Sequence, residues 1–192
     1  MMTEKPLDSI AEVMTGYPFR GRVESIPDGD LRVIQARDVV DGQLVDLDRL
    51  TRIRLPGRAR PAEKFVQRDD VIVMIRSEKP YAVHLPFEMP PTVVQNSFNT
   101  LRIHRGIPLI PEFLAMILNQ SLMRARLAEL IKGSTIPYIR VEDLRSVMVP
   151  LPPIERQRCL VALESAQRRE RQLHRELESA RQEWLDAMIL AN

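Results

Sequence analysis

From Ile154 to Leu190 the chain contains neither glycine nor proline, and that stretch most limits what it can fold into. A helix starting near Pro153 and running to Leu190 would be roughly 55 Å long at 1.5 Å per residue. No domain built from the remaining sequence can cover it. Cys159, Leu163, Ala166, Glu170, Leu173, Leu177, Ala180, Trp184 and Ala187 follow alternating spacings of four and three, the heptad seam of a coiled coil, with Glu170 its one charged member. Arg168, Arg169, Arg171, Arg175, Glu176, Glu178 and Arg181 fall outside the seam and are expected in solvent. The expected dimer interface comprises Leu163, Ala166, Glu170, Leu173, Leu177, Ala180, Trp184 and Ala187, with a carboxylate at Glu170 that needs an arginine such as Arg169 or Arg171. The alternative is a helix folded back on its own domain.

The stretch before the helix, Gly133 to Gln157 (GSTIPYIRVEDLRSVMVPLPPIERQ), contains a corner. Gly133 closes a helix-like segment. In SVMVPL, Val147, Val149 and Leu151 fall on one face of a short strand, with Met148 and Pro150 on the other. Pro152-Pro153 ends that strand, because proline lacks an N–H, and suits the start of a helix whose positive end Glu155 then meets. Read locally, the corner could equally be a surface linker.

Upstream, the pattern is mostly extended. Residues 16–30 read as loops, Leu31 to Ala36 as an alternating strand, and Asp41-Gly42 as a turn before Leu44 to Leu47. Val71 to Ile75 is the clearest buried strand. Prolines break the chain between Lys79 and Pro91, and Thr92 to Ile103 is extended again. From Pro111, apolar residues recur at helical spacing as far as Ile131, which predicts one amphipathic helix packed on the sheet and ending at Gly133. The expected fold class is α+β, with a compact, mainly β domain carrying a packed helix over 1–150 and a long helix over 151–192.

With 44% apolar and 28% charged residues, the 192-residue chain has an ordinary globular composition. Cys159 is the only cysteine, so no intrachain disulfide or thiolate zinc cluster is possible. The N-terminus lacks the apolar core of a signal peptide, no stretch approaches a membrane span, and the expected location is cytoplasmic. Catalytic signatures are missing. Glu63-Lys64 and Glu78-Lys79 lack the intervening residue of the usual nuclease arrangement, and His84, Asn99 and His104 only imitate a histidine-asparagine-histidine nuclease. Met89-Pro90-Pro91-Thr92 has neither the polar residue nor the aromatic of a DNA methyltransferase motif, and no glycine-rich cofactor or phosphate loop is present. We expect a protein that is not an enzyme, with no metal and no cofactor in this chain.

Basic residues cluster instead. Arg49, Arg52, Arg54, Arg58, Arg60 and Lys64 lie in one segment kept irregular by Pro56-Gly57 and Pro61. Such a loop can follow a phosphate backbone or enter a groove, with phosphates supplying affinity and an arginine on guanine supplying specificity. Arg20, Arg22, Arg37, Arg76 and Lys79 complete the candidate DNA-binding set, with Lys132, Ser134 and Thr135 beside them. A solvated basic loop without a partner is the plainer alternative.

Taken together, Gly133-Ser134-Thr135, Ile136, Ile139, Leu144 and Val149-Pro150-Leu151-Pro152-Pro153-Ile154-Glu155-Arg156-Gln157 resemble the end of a target-recognition domain and the start of the helix in the specificity subunits of type I restriction-modification systems. Val33 to Gly42 and Val66 to Ile75 are similar to earlier segments of that family, so the resemblance spans most of the chain. Arg156 separates Glu155 from Gln157, where the family commonly has Glu and Gln side by side. In the family the corner leads from the DNA-reading domain into a helical spacer, which holds two readers apart and docks methyltransferase subunits. One reader and one helix resemble a half-subunit that pairs with a second copy. The resemblance implies double-stranded DNA, that second copy and a DNA methyltransferase subunit as partners, with a restriction subunit as a further candidate. S-adenosylmethionine is expected in the methyltransferase, which would methylate adenine. The alternative is an adaptor or regulator that pairs through its helix with a specificity subunit and reads no DNA.

Overall fold

The computed structural model describes residues 3–19, 21–40, 42–44, 46–55 and 62–190. In chain order its elements are β1 (Thr3–Pro6), β2 (Ala11–Thr15), β3 (Leu31–Ile34), β4 (Val39–Val40), β5 (Gln43–Leu44), β6 (Thr51–Ile53), β7 (Val71–Met74), β8 (Ala82–His84), β9 (Thr92–Val94) and β10 (Phe98–Ile103). There follow α1 (Pro111–Leu118), α2 (Ser121–Glu129), β11 (Ile131–Lys132), β12 (Tyr138–Ile139), α3 (Val141–Arg145), β13 (Met148–Leu151) and α4 (Ile154–Leu190). The fold is α+β, with sheets in the first 150 or so residues and a long C-terminal helix.

An antiparallel sheet in the order β2-β10-β7-β8 forms the centre. Every residue of β7 is buried because both faces of the sheet are covered. Val71 and Val73 join Leu101 against Phe113, Leu114 and Leu118 of α1, while Ile72 and Met74 join Phe98, Val83 and Ile34 on the other face. This accounts for the unbroken apolar run that reads as a strand in the sequence. A smaller sheet, β6-β3-β9, lies to one side, with β3 antiparallel to β6 and parallel to β9. Leu31, Val33, Ile53 and Val93 form its own small core.

The first residues reach the last strand of the sheet region. β1 pairs antiparallel with β13, and the Leu7 N–H donates to the Val147 carbonyl at 2.9 Å. Val147 and Val149 are buried and Met148 is exposed, as the alternation in SVMVPL requires. Pro150 is tolerated because β13 belongs to a two-stranded ribbon.

The single helix expected from Pro111 to Gly133 is two helices. Asn119 ends α1, and its side chain both accepts from the Ala82 N–H (2.9 Å) and donates to the Ala82 carbonyl (2.8 Å). Docking the end of α1 on β8 in this way competes with continued helix, and Gln120 is extended (φ −65°, ψ 148°). Leu122, placed on the apolar face by helical spacing, is 66% exposed. Gly133 follows β11 rather than a helix. Its φ is +87°, and a Cβ there would lie 2.6 Å from the Ile136 carbonyl oxygen. β4 pairs antiparallel with β5, with Val40 opposite Gln43, and Asp41 of the turn predicted at 41–42 lies outside the described residues.

Candidate nucleic-acid interface

The corner into α4 is built on one glutamine. The Pro153 carbonyl accepts from the Arg156 and Gln157 N–H groups, so Pro153 caps a helix that starts at Ile154. The side chain of Gln157 is fully buried, with Oε1 accepting from the Ile110 N–H (2.9 Å) and Nε2 donating to the carbonyls of Pro108 and Pro152 (2.8 Å each). The helix is thereby bonded to the segment that leads into α1. Leu160 and Val161 pack on the main core, and Ser165 donates to Glu112 of α1. Beyond that point every described residue of α4 is exposed.

At 100° per residue, Glu164, Arg168, Arg171 and Arg175 fall within about 60° of arc, and the seam from Leu163 to Ala187 is centred nearly opposite. The first set lines a cleft of about 490 Å³ against Met116, Gln120 and Arg124. Hence the face turned toward the chain's own domain is polar, and the apolar face points away. Leu163 is 56% exposed, Leu173 48%, Leu177 49% and Trp184 63%, which is unlike a helix folded back on its domain. Ala166, Ala180 and Ala187 are exposed beside them. Glu170 is exposed on this seam, whereas Arg171 turns to the other side and pairs with Glu164 at 3.2 Å. Arg169 remains as the neighbouring cation for Glu170, and it flanks the seam next to Leu173 and Leu177.

Among the basic candidates, Arg52 is half-buried on the edge strand β6, directly opposite Arg32 of β3. Like charges facing each other across an antiparallel pair repel, and Asp48 meets Arg32 at 3.3 Å. Arg49 pairs with Asp46 at 3.7 Å, and Arg54 donates to the Asp28 carbonyl at 2.9 Å. Arg37 donates to Thr51 Oγ1 at 2.7 Å, and Gln35 donates to the same oxygen at 2.8 Å. Arg32 and Arg52 thus lie on the small sheet itself, Arg37 and Arg54 are bonded beside it, and Arg49 lies two residues before β6. Lys64 is separate from this group, reaching the carbonyl and hydroxyl of Thr15 at 3.3 Å each. Arg22, Arg76 and Lys79 are exposed. Arg20, Arg58 and Arg60 lie outside the described residues. Lys132 pairs with Asp143 at 2.6 Å, and Ser134 and Thr135 are exposed nearby.

Sequence patterning overlooked Arg32, Arg124 and the role of Gln157, and it assigned Arg168, Arg171 and Arg175 to plain solvent. Helical phase alone placed those three on one face, but only tertiary packing set Arg124 across from them. It also overlooked the pair of buried Asp70 and half-buried Arg102. Arg102 Nε and Nη2 donate to the carboxylate at 2.9 and 2.7 Å, and Nη2 also donates to the Phe65 carbonyl. The hydrogen bonds to Asp70 hold the guanidinium above its ordinary pKa. Asp38 accepts from the Gln35 N–H, and burial raises its pKa against the lowering effect of that bond and of Arg37.

The histidines of the nuclease-like reading have separate partners. His84 meets Asp69 at 3.0 Å, His104 contacts the Asp8 carbonyl, and Asn99 is buried in the sheet. Among the described residues no group of three or more His, Cys, Asp or Glu is arranged to hold a metal ion, and no helix is long and apolar enough to cross a membrane.

No family model and no curated protein matches the sequence. Solved structures do match. The type I restriction-modification system S subunit from M. genitalium is 17% identical, with a TM-score of 0.54 over 86% of this chain and 38% of that one. The HsdS subunit from Thermoanaerobacter tengcongensis is 20% identical, with a TM-score of 0.60 over 91% and 39%. A chain from work on complex assembly and conformational transition of the type I R-M system is 21% identical, with a TM-score of 0.65 over 91% and 40%. At these identities the likeness is one of fold. This chain is similar in fold, over about nine-tenths of its length, to type I restriction-modification specificity subunits, and it spans about two-fifths of theirs.

Proposed function

We propose that this chain is a sequence-specific DNA-recognition subunit of a type I restriction-modification complex, that it catalyses nothing itself, and that it works as a half-specificity subunit paired with a second copy. The observation that carries this reading is the orientation of α4, whose apolar seam faces away from its own domain while the start of the helix is bonded rigidly to it. Burying Leu163, Leu173, Leu177 and Trp184 would contribute about 1.5 to 3 kcal/mol for each side chain fully covered. A second α4 is a matching surface, and a two-fold pair is the commonest symmetric solution. The fold likeness to specificity subunits supports the DNA-reading role, with the region 1–150 as reader and 151–192 as spacer and dimerisation helix. The arginines around the small sheet, with Arg22, Arg76, Lys79 and the 56–61 segment, supply the cations that meet DNA. Two identical readers related by a two-fold axis take an interrupted palindrome. A separate methyltransferase subunit, holding S-adenosylmethionine, would flip and methylate an adenine.

The test is selection of bound duplexes from a random pool, followed by sedimentation of the free chain. An interrupted palindrome and a dimer at micromolar concentration are expected. A monomer, or an asymmetric target, overturns the half-subunit reading.

A further inference from the structure

The cleft between the reader and α4 is a strongly charged concavity that the recognition reading leaves unused. Arg124 projects from α2, and Arg168, Arg171 and Arg175 from α4, against one carboxylate, Glu164. Glu164 lies 3.9 Å from Arg168 and 3.2 Å from Arg171, so a single anion is shared between two guanidinium groups. Gln120 adds a neutral polar group to the wall. Val39 and Gly42 of the β4–β5 hairpin also line the cleft.

We propose that this cleft binds the sugar-phosphate backbone of duplex DNA between the two half-sites, without reading its bases. The proposal rests on the recognition reading and deepens it. Arg168 to Arg175 covers about 10 Å of helix axis, the axial span of about three phosphates of one strand at 3.4 Å each. All the cations in the cleft are arginines, whose planar fork takes phosphate oxygens in pairs. The face of α4 that carries them is the one on which its own reader sits, and the opposite face holds the seam. In a two-fold pair joined through the seams, the arginine face stays open to a duplex held by the reader. Glu164 orients Arg168 and Arg171 before DNA arrives and competes with phosphate once it has.

The experiment uses the full chain and a duplex selected from a random pool, with its half-sites fixed and the sequence between them varied. The Arg168→Ala, Arg171→Ala, Arg175→Ala triple variant is compared with the corresponding lysine triple and with Glu164→Gln. Circular dichroism and gel filtration check that each variant remains folded and paired. For the alanine triple we expect weaker binding to every intervening sequence alike and an unchanged preference between half-sites. Its log–log salt slope should be shallower by about 2.7, at about 0.9 per phosphate, or about 40-fold less affinity lost between 50 and 200 mM salt. The lysine triple should recover most of the salt slope, and Glu164→Gln should bind more tightly than the unmodified chain. Replacing the intervening phosphates by methylphosphonates should weaken the unmodified chain but not the alanine triple.

If the unmodified chain selects a target and the alanine triple binds it with the same affinity and slope, the inference fails and the recognition reading stands. If the unmodified chain binds no duplex, both fail. If the alanine triple binds DNA normally but no longer retains a methyltransferase subunit, the cleft takes an acidic protein surface instead and the inference is overturned.

Discussion

Gln157 anchors a helix of 37 residues through one fully buried amide. The sequence shows a glutamine after a proline pair, but not that the carbonyls of Pro108 and Pro152 and the N–H of Ile110 converge on it. Gln157→Leu has nearly the right volume and leaves all three backbone groups unpaired. At about 1 to 3 kcal/mol for each, the loss should be at least about 3 kcal/mol, measured as a lower urea midpoint and faster hydrogen exchange at Ile110. Unchanged stability would mean that the corner is held by apolar packing alone.

Asp38 gives a pH signature. Burial raises its carboxyl pKa, so the folded chain keeps this proton at a pH where the unfolded chain has released it. Its share of stability is complete below the ordinary carboxylate range and is lost as pH rises through the raised value. Asp38→Asn retains an acceptor for the Gln35 N–H and removes the titration. Urea unfolding between about pH 3 and pH 6 should show less decline with rising pH in the variant than in the unmodified chain. A parallel profile would remove Asp38 as its source.

Among the elements, α4 was the most legible, because its length and its heptads are local properties. Its orientation was not, since an apolar stripe has no preferred side until something packs against the other. Changing Leu173 and Leu177 together to aspartate should give a folded monomer, because both side chains are about half exposed and make little of the core. Tight DNA binding should go with the dimer, since the two half-sites are then no longer held at once. Sedimentation gives the mass, and circular dichroism gives the remaining helix. A variant that stays dimeric would place the interface elsewhere. The break at Asn119 was invisible for the opposite reason: its hydrogen bonds go to Ala82, 37 residues away, and apolar spacing carries no record of that partner.

For the whole molecule, the expected chemistry is binding. Replacing Arg52, Arg54, Arg58 and Arg60 together by alanine should weaken DNA binding. The salt slope should fall by about 1 for each of these arginines that meets a phosphate, while one that reads a base costs about 1 to 3 kcal/mol at a single position of the target. Unchanged binding in a filter or fluorescence titration would remove this segment from the interface. The purified chain should transfer no methyl group to DNA. Transfer to adenine should begin when a separate methyltransferase subunit and S-adenosylmethionine are added, followed by incorporation of labelled methyl. Methylation by the chain alone would overturn the non-catalytic role proposed for it.

By itself the sequence determined the α+β class, the buried β7, the strand-to-helix corner and the seam of α4, because each is written in the spacing of neighbouring residues. Tertiary structure decided the rest. It paired β1 with β13, split the helix after Pro111 in two, turned the polar side of α4 toward its own domain, and set Arg124 across a cleft from Arg168, Arg171 and Arg175. The physical reason is range. Periodicity reports which side of an element is apolar, whereas partners far apart in the chain meet only when a core forms between them, and no local pattern encodes which partners those are.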